Sequence, residues 1–253
     1  MSAADPLLRA WTALAPDHAF PPLASMVDAA RQARYHAALG CAVDFQGQVN
    51  AGVLAQDAIR VSTVAGMPND GRIHVDQTIV QHRPVRLGEK LVAESRWGGL
   101  TPAPRGQLAL GHCDFRAGDG SVPVAMTGSF LLPGPSAIKA EKREPERSGL
   151  EPWTMLRLTP DGVRAYSAEV GNRIHFDPAF AQAHGFRAPV AQGLMQACAI
   201  LGALGPRPAY RFRMRFLRPV FWDDVVGILA DRDLARFLCL GPHGKPTAEA
   251  TLD

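Results

Sequence analysis

An eight-residue string recurs 135 positions apart in this chain, and that spacing constrains the fold more than any single motif. His82-Arg83-Pro84-Val85-Arg86-Leu87-Gly88-Glu89 aligns without gaps on Leu217-Arg218-Pro219-Val220-Phe221-Trp222-Asp223-Asp224 (219 − 84 = 135). Arg, Pro and Val are identical, and both copies end on an acidic residue. Proline cannot donate to a sheet ladder, so each copy is expected to end or bulge a strand and set up the next turn. The surroundings agree. In the first part, helical patterns near 23–39 and 53–65 precede strands near 73–83, 90–97, 106–117 and 121–132, with Gly88-Glu89 and Gly118-Asp119-Gly120 as tight turns. In the second, helical patterns near 178–184 and 191–204 precede strands near 209–218, 225–231, 235–240 and 246–252, with Pro242-His243-Gly244 as the last turn. Each half is helix first and antiparallel meander after, which predicts a duplicated α+β chain.

Residues 133–152 are rich in proline and charge and poor in apolar side chains. Such a segment buries little surface and is expected to be a linker. It divides the 253 residues into units 1–132 and 153–253, each of ordinary domain size.

Hydrophobic residues make up 47% and charged residues 20%, the balance of a globular chain with a real core. The net charge of +3 is small and no Lys/Arg block is present, which argues against nucleic acid as a partner. Cys41, Cys113, Cys198 and Cys239 are far apart and never at CxxC spacing, so no metal site or redox motif is expected. They read as small buried hydrophobes in a reducing compartment. The N-terminus carries Asp5 and Arg9 without an apolar run, and no stretch approaches the roughly 18 apolar residues of a membrane span. The expectation is a cytoplasmic protein with no membrane partner.

Chemistry concentrates in residues 171–195. A polar turn (Asn172, His175, Asp177) stands ahead of a short helix that opens on Pro178, and the step Gln192-Gly193 then opens an apolar helix over 194–204. Asp177 before Pro178 reads as an N-cap followed by proline at the first helical position. A histidine is the usual general acid or base, and unpaired N–H groups at a helix N-terminus stabilise a developing oxyanion. His175 is therefore the candidate acid/base, Asn172 the group that positions water or holds the loop, and Gly193 the place where a backbone N–H can approach a carbonyl closely. Arg72-Ile73-His74-Val75-Asp76 echoes Arg173-Ile174-His175-Phe176-Asp177, but at the different offset of 101 (175 − 74), so His74 reads as the opening of a strand. Tyr210, Phe212, Met214 and Phe216 alternate with Arg211, Arg213 and Arg215, a strand with one buried and one basic face. Those arginines are either a solvated face or a grip on phosphate oxygens.

Gly171, Asn172, Ile174, His175, Asp177, Phe180, Ala181, Gly185, Phe186, Gly193, Leu194 and Met195 resemble the signature of the MaoC-like (R)-specific enoyl-CoA hydratase/dehydratase family. Tyr166 fits the same pattern, and the resemblance spans about 157–253. The first half looks like the degenerate N-terminal unit of two-copy members. The resemblance implies a double hot-dog, each half an antiparallel sheet wrapped around a central helix, with the site between the halves. It implies an acyl-CoA or acyl-carrier thioester as substrate, fatty acid metabolism as the setting, and no metal or cofactor. His175 and Asn172 would act on the substrate. Gln192, Gly193, Arg173, Arg213 and Arg215 would bind it. A homodimer stays open.

One position departs from the family pattern. The aspartate expected two residues before the asparagine is Val170 without a gap, and is deleted if Gly171 is matched to the family's glycine. Glu169, one residue further back, is the candidate substitute. Three readings follow. The first is reversible hydration of an enoyl thioester, equivalently dehydration of a 3-hydroxyacyl thioester. The second is a hot-dog thioesterase, for which Asp57 is the only carboxylate on a central helix. The third is a non-catalytic acyl-thioester-binding subunit.

Overall fold

The computed structural model describes residues 4–136, 138 and 144–253, so residues 137 and 139–143 of the expected linker lie outside the described residues. The first half runs α1 (Ala4–Thr12), β1 (Leu23–Ser25), α2 (Ala29–Leu39), α3 (Ala51–Val64), β2 (Ile73–Gln81), β3 (Leu91–Ala103), β4 (Gly106–Ala117) and β5 (Val124–Pro133). The second runs β6 (Glu151–Arg157), α4 (Pro160–Ser167), α5 (Pro178–Ala183), α6 (Gly193–Leu204), β7 (Tyr210–Phe216), β8 (Val225–Ala230), β9 (Arg236–Leu240) and β10 (Pro246–Leu252), with a 3-10 turn at Arg173–His175.

Among the described residues these strands form one ten-stranded sheet in the order β1-β3-β4-β5-β2-β7-β10-β9-β8-β6. Read inward from either edge, the order is the same once β1 is matched to β6 and β2 to β7. At the centre β2 and β7 pair antiparallel, and Thr78 stands opposite Arg213. Those two residues are 135 apart (213 − 78 = 135), the spacing of the Arg-Pro-Val repeat. A residue on a two-fold axis between antiparallel strands faces its own equivalent, so the sequence repeat is the symmetry of the sheet.

The alternation in β3 shows why these residues make strands: Leu91, Ala93, Ser95 and Trp97 are buried and the residues between them are exposed. The same holds in β7, where Phe212 and Met214 are buried and Arg211, Arg213 and Arg215 face out. Both sheet edges are short or interrupted. β1 has three residues, and β6 carries Pro152 beside a register shift, which suits an edge that must not recruit another strand.

The two long helices of the halves, α3 and α6, pack together under the sheet. α6 is apolar on all sides, and Leu194, Met195, Ala197, Cys198 and Ile200 are buried, as a helix enclosed by sheet and helix requires. Full burial of each large aliphatic side chain there stabilises by roughly 1.5–3 kcal/mol. The helices approach closely because Gly52 has no side chain: a Cβ there would lie 3.0 Å from the Cys198 Cα. Tyr35 of α2 and Tyr166 of α4 meet edge to face at 4.8 Å, tying the flanking helices of the halves together.

Four elements differ from the sequence expectation, one of them β6, which was not expected and whose first residues, Glu151 and Pro152, lie in the segment read as linker. The helix expected over 23–39 is split, because Leu23–Ser25 pair with β3 and Asp28 then caps α2 by accepting from the Arg31 N–H at 2.7 Å. α1 was not expected. α4 was not expected either, although its start is written in Thr159 and Pro160: the threonine hydroxyl accepts from the Gly162 N–H at 3.1 Å, with proline following the cap. Among the described residues, no helix is long and apolar enough to cross a membrane.

Candidate active site

A cavity of about 330 Å3 opens where the halves meet, between the start of β2, the segment 170–175, the end of β7 and the first turn of α6. Its chemistry begins with a difference between the two central helices. Asn50 caps α3 normally, accepting from the Gly52 N–H at 3.0 Å, and its amide donates to the Cys198 carbonyl at 3.2 Å. Gln192 stands at the matching place on α6 but makes no capping hydrogen bond. Its Oε1 accepts instead from Gln56 Nε2 at 3.0 Å. The N-terminus of α3 is thus closed by its own side chain. That of α6 is left open and faces the cavity, with the positive end of its dipole exposed there. Gln192 Nε2 and Gln56 Oε1 are buried and have no partner among the described residues. Gly193 is required for packing: a Cβ there would sit 2.8 Å from the Phe216 ring.

His175 ends the 3-10 turn and lines the same cavity. Its Nδ1 lies 2.6 Å from the Val190 carbonyl oxygen. A carbonyl only accepts, so Nδ1 carries the proton and Nε2 of the neutral ring keeps its lone pair. Val190 is itself held, since its N–H donates to the Ile174 carbonyl at 3.0 Å. Burial lowers the His175 pKa to about 4, against the raising effects of the Val190 hydrogen bond and the Asp70 charge. Asn172 caps the 3-10 turn through the Ile174 N–H at 3.2 Å and donates to the Asn69 carbonyl at 3.3 Å. Of the two roles expected for it, holding the loop is the one visible in the geometry, and it also stitches that loop to the first half.

The sequence echo at 72–76 acquires a meaning that spacing alone did not give. Arg72 and His74 line the cavity too, although β2 corresponds in the sheet to β7 and not to the 171–177 turn. His74 stacks on Phe130 at 4.5 Å, and its buried Nε2 has no partner among the described residues. Burial, then the neighbouring Arg72 charge, depress its pKa to about 3. The cavity therefore holds two neutral imidazoles, one from each half.

Among the described residues, no carboxylate lines this cavity. Val170, which takes the place of the family's aspartate in the alignment without a gap, presents an apolar side chain to it. Glu169 does not replace it and is absent from the cavity wall. It sits in an ion cluster, pairing with Arg31 at 2.5 Å and also with Arg34. Asp57 belongs to the same cluster, bound by Arg31 and Arg60 at 2.8 Å each and by the Ser25 hydroxyl at 2.6 Å. Turned toward α2, these carboxylates are neutralised by guanidinium groups and lie away from the cavity. This corrects Glu169 as a substitute base and removes the one helix carboxylate that a thioesterase reading had available.

The expected phosphate-binding arginines are also elsewhere. Arg213 and Arg215 lie on the outer face of β7, opposite the buried Phe212 and Met214, and Arg215 pairs with Glu249 at 3.7 Å. Period-2 alternation put them there, since it sends them through the sheet away from the helices. Arg173 is exposed, pairing with Asp177 at 2.7 Å and lying over Phe180. Arg105 and Arg218 are the more exposed cations that line the cavity. Gln192, Gly193, Asn172 and His175 are brought together as expected. Arg173, Arg213, Arg215 and Glu169 are not.

Two five-stranded units, each against its own central helix and joined at a shared seam, define a double hot-dog protein. Within it, the second half is more specific: residues 150–233 match the model of the MaoC-like domain. The chain is similar to 3-hydroxyacyl-thioester dehydratase X of Mycobacterium tuberculosis, at 28% identity over 165 residues, 62% of this chain and 59% of that protein. The match thus spans less than two thirds of that relative. The structure of HtdX from Mycobacterium tuberculosis superposes with a TM-score of 0.75 at 24% identity, covering 91% of this chain and 98% of the other. A further Mycobacterium tuberculosis protein, described as having a double hot-dog fold, superposes with a TM-score of 0.63 at 13% identity, covering 94% of this chain and 96% of the other. At these identities the superpositions establish the fold.

Proposed function

We propose that the protein reversibly hydrates an enoyl thioester, equivalently dehydrating a 3-hydroxyacyl thioester. One observation carries the reading: a neutral histidine with its tautomer fixed by Val190 shares a cavity with the uncapped N-terminus of α6. The thioester carbonyl would sit against the first N–H groups of α6. His175 Nε2 would take a proton from water as the water oxygen bonds to the β-carbon. The electron pair of the α,β double bond would move onto the thioester oxygen, where the helix N–H groups stabilise it. The imidazolium would then return the proton to the α-carbon, so that one base serves both steps and no carboxylate is needed. Arg105 and Arg218 would meet the phosphates of a CoA or acyl-carrier arm. Cytoplasmic fatty-acid chemistry is the setting this reading expects, with residues 1–132 and 153–253 as the two hot-dog units. The similarity to a thioester dehydratase and the MaoC-like match support it.

Mixing the full chain with crotonyl-CoA tests the reaction. Loss of the enoyl absorbance without release of free thiol is the expected result. Thiol release would point to hydrolysis. The apolar Val170 favours a second reading, a subunit that binds acyl thioesters without turning them over. Saturable acyl-CoA binding with no change in absorbance would select that reading.

A further inference from the structure

Among the described residues, the deeply buried ionised side chains are Asp57, Asp224 and Arg72. Asp57 is held by Arg31 and Arg60, and Asp224 by Arg187 at 2.5 Å. Arg72 is 8% exposed and pairs with no carboxylate among the described residues. What it has is a long hydrogen bond to Ser62 Oγ at 3.4 Å, the Phe130 ring at 4.2 Å and the Trp11 ring at 5.3 Å. Its Nη2 is buried and has no partner. A desolvated cation without a counter-ion is strongly unfavourable, and aromatic faces offset only part of that cost. Burial lowers the Arg72 pKa to about 10, which still leaves it charged near neutral pH.

Its position says what is missing. Arg72, Ile59 and Phe130 line both the 330 Å3 cavity and a second void of about 30 Å3, whose walls include Trp11, Phe20 and Trp97. Arg105 and Arg218 are far more open to solvent, and Arg218 already pairs with Glu144 at 3.0 Å. Arg72 alone is enclosed, among aromatic walls with room for a small planar anion. A carboxylate matches a guanidinium in two parallel hydrogen bonds. Neither neighbour on the wall supplies one: His74 is neutral and Val170 is apolar.

We propose that the acyl group bound in this cavity carries its own carboxylate, with Arg72 as the counter-ion that selects it. The proposal rests on the reading that the cavity holds the acyl part of a thioester, and it narrows the substrate to thioesters of dicarboxylic acids.

The test compares two trans-2-enoyl-CoA thioesters of equal chain length, one ending in a methyl group and one in a carboxylate. The full chain is expected to favour the carboxylate-ended substrate at least tenfold in kcat/KM. Arg72→Met should collapse that preference to near unity, and Arg72→Lys should keep part of it. Equal or better turnover of the methyl-ended substrate by the wild type overturns the proposal and needs no variant to fold. So does a preference that survives Arg72→Met, which would leave Arg72 as a stacking residue between Trp11 and Phe130. Free acids separate this idea from the reaction itself. If neither thioester is turned over, but glutarate raises the melting temperature of the wild type more than the uncharged valeramide does and not that of Arg72→Met, the reaction fails and the anion site stands. If turnover is seen with equal kcat/KM, and glutarate stabilises no more than the uncharged valeramide, the reaction stands and the anion site fails.

Discussion

The Nδ1 atom of His175 lies 2.6 Å from the carbonyl oxygen of Val190, and that contact decides what the histidine can do. It places the ring's proton on the loop side and leaves the Nε2 lone pair free. The ring is half-buried on the cavity wall, and desolvation lowers its pKa to about 4. A base of this kind is already unprotonated well below neutrality. The acid limb of kcat/KM should therefore fall near pH 4 to 5 rather than near the ordinary histidine value of about 6.5. A pH–rate profile for enoyl-CoA hydration measures this. A limb at 6.5 would mean that the ring is solvated in the free enzyme.

The same depression has a stability consequence. His74 and His175 have folded-state pKa values of about 3 and 4, below the unfolded value. Between those values and about 6.5 the unfolded chain takes up protons that the folded chain refuses, so stability rises with pH across this window. The contribution is complete above 6.5 and is lost as pH falls toward 3. Urea melts between pH 7 and pH 4 should show a steeper loss for the wild type than for His74→Phe, which removes one of the two groups. Equal slopes would contradict the burial of His74.

Gly193 is held to glycine by Phe216. In Gly193→Ala the added Cβ would meet the ring at 2.8 Å. Overpacking of this sort costs about 1–3 kcal/mol. The variant should melt lower, and the double variant Gly193→Ala with Phe216→Leu should recover much of the loss. Absence of recovery in that double-mutant cycle would show that the ring is not the obstacle.

Glu169 is expected to be structural. Glu169→Gln removes a partner of Arg31 and Arg34 at a half-buried place and should lower stability by about 1–3 kcal/mol, with the pH–rate profile unchanged. Lost turnover at an unchanged melting temperature would return Glu169 to the chemistry.

What the sequence made legible follows from which signals are local. The duplication was readable because a proline at a strand end is kept in both copies, and Thr78 opposite Arg213 reproduces its spacing. The 171–195 stretch was readable because a cap, a proline and a glycine at a helix start are near-neighbour features. Arg213 and Arg215 were misplaced, although their alternation was plain, because alternation says only that they share a face. Which face lies toward the helices is settled by Phe212 and Met214 in the packed core. Glu169 could not be assigned because its partners, Arg31 and Arg34, lie more than 130 residues earlier. His74 reaches the cavity just beyond the ladder of β2 with β7, where its ring meets Phe216 at 5.0 Å, a long-range contact that no local pattern records.

The measurement that bears most directly on the account is the rate of crotonyl-CoA hydration by His175→Ala beside the wild type, with both shown to be folded by their melting curves. Removing a positioned general base should lower kcat by about 10²–10⁴-fold. Hydration by His175→Ala at the wild-type rate would contradict the account.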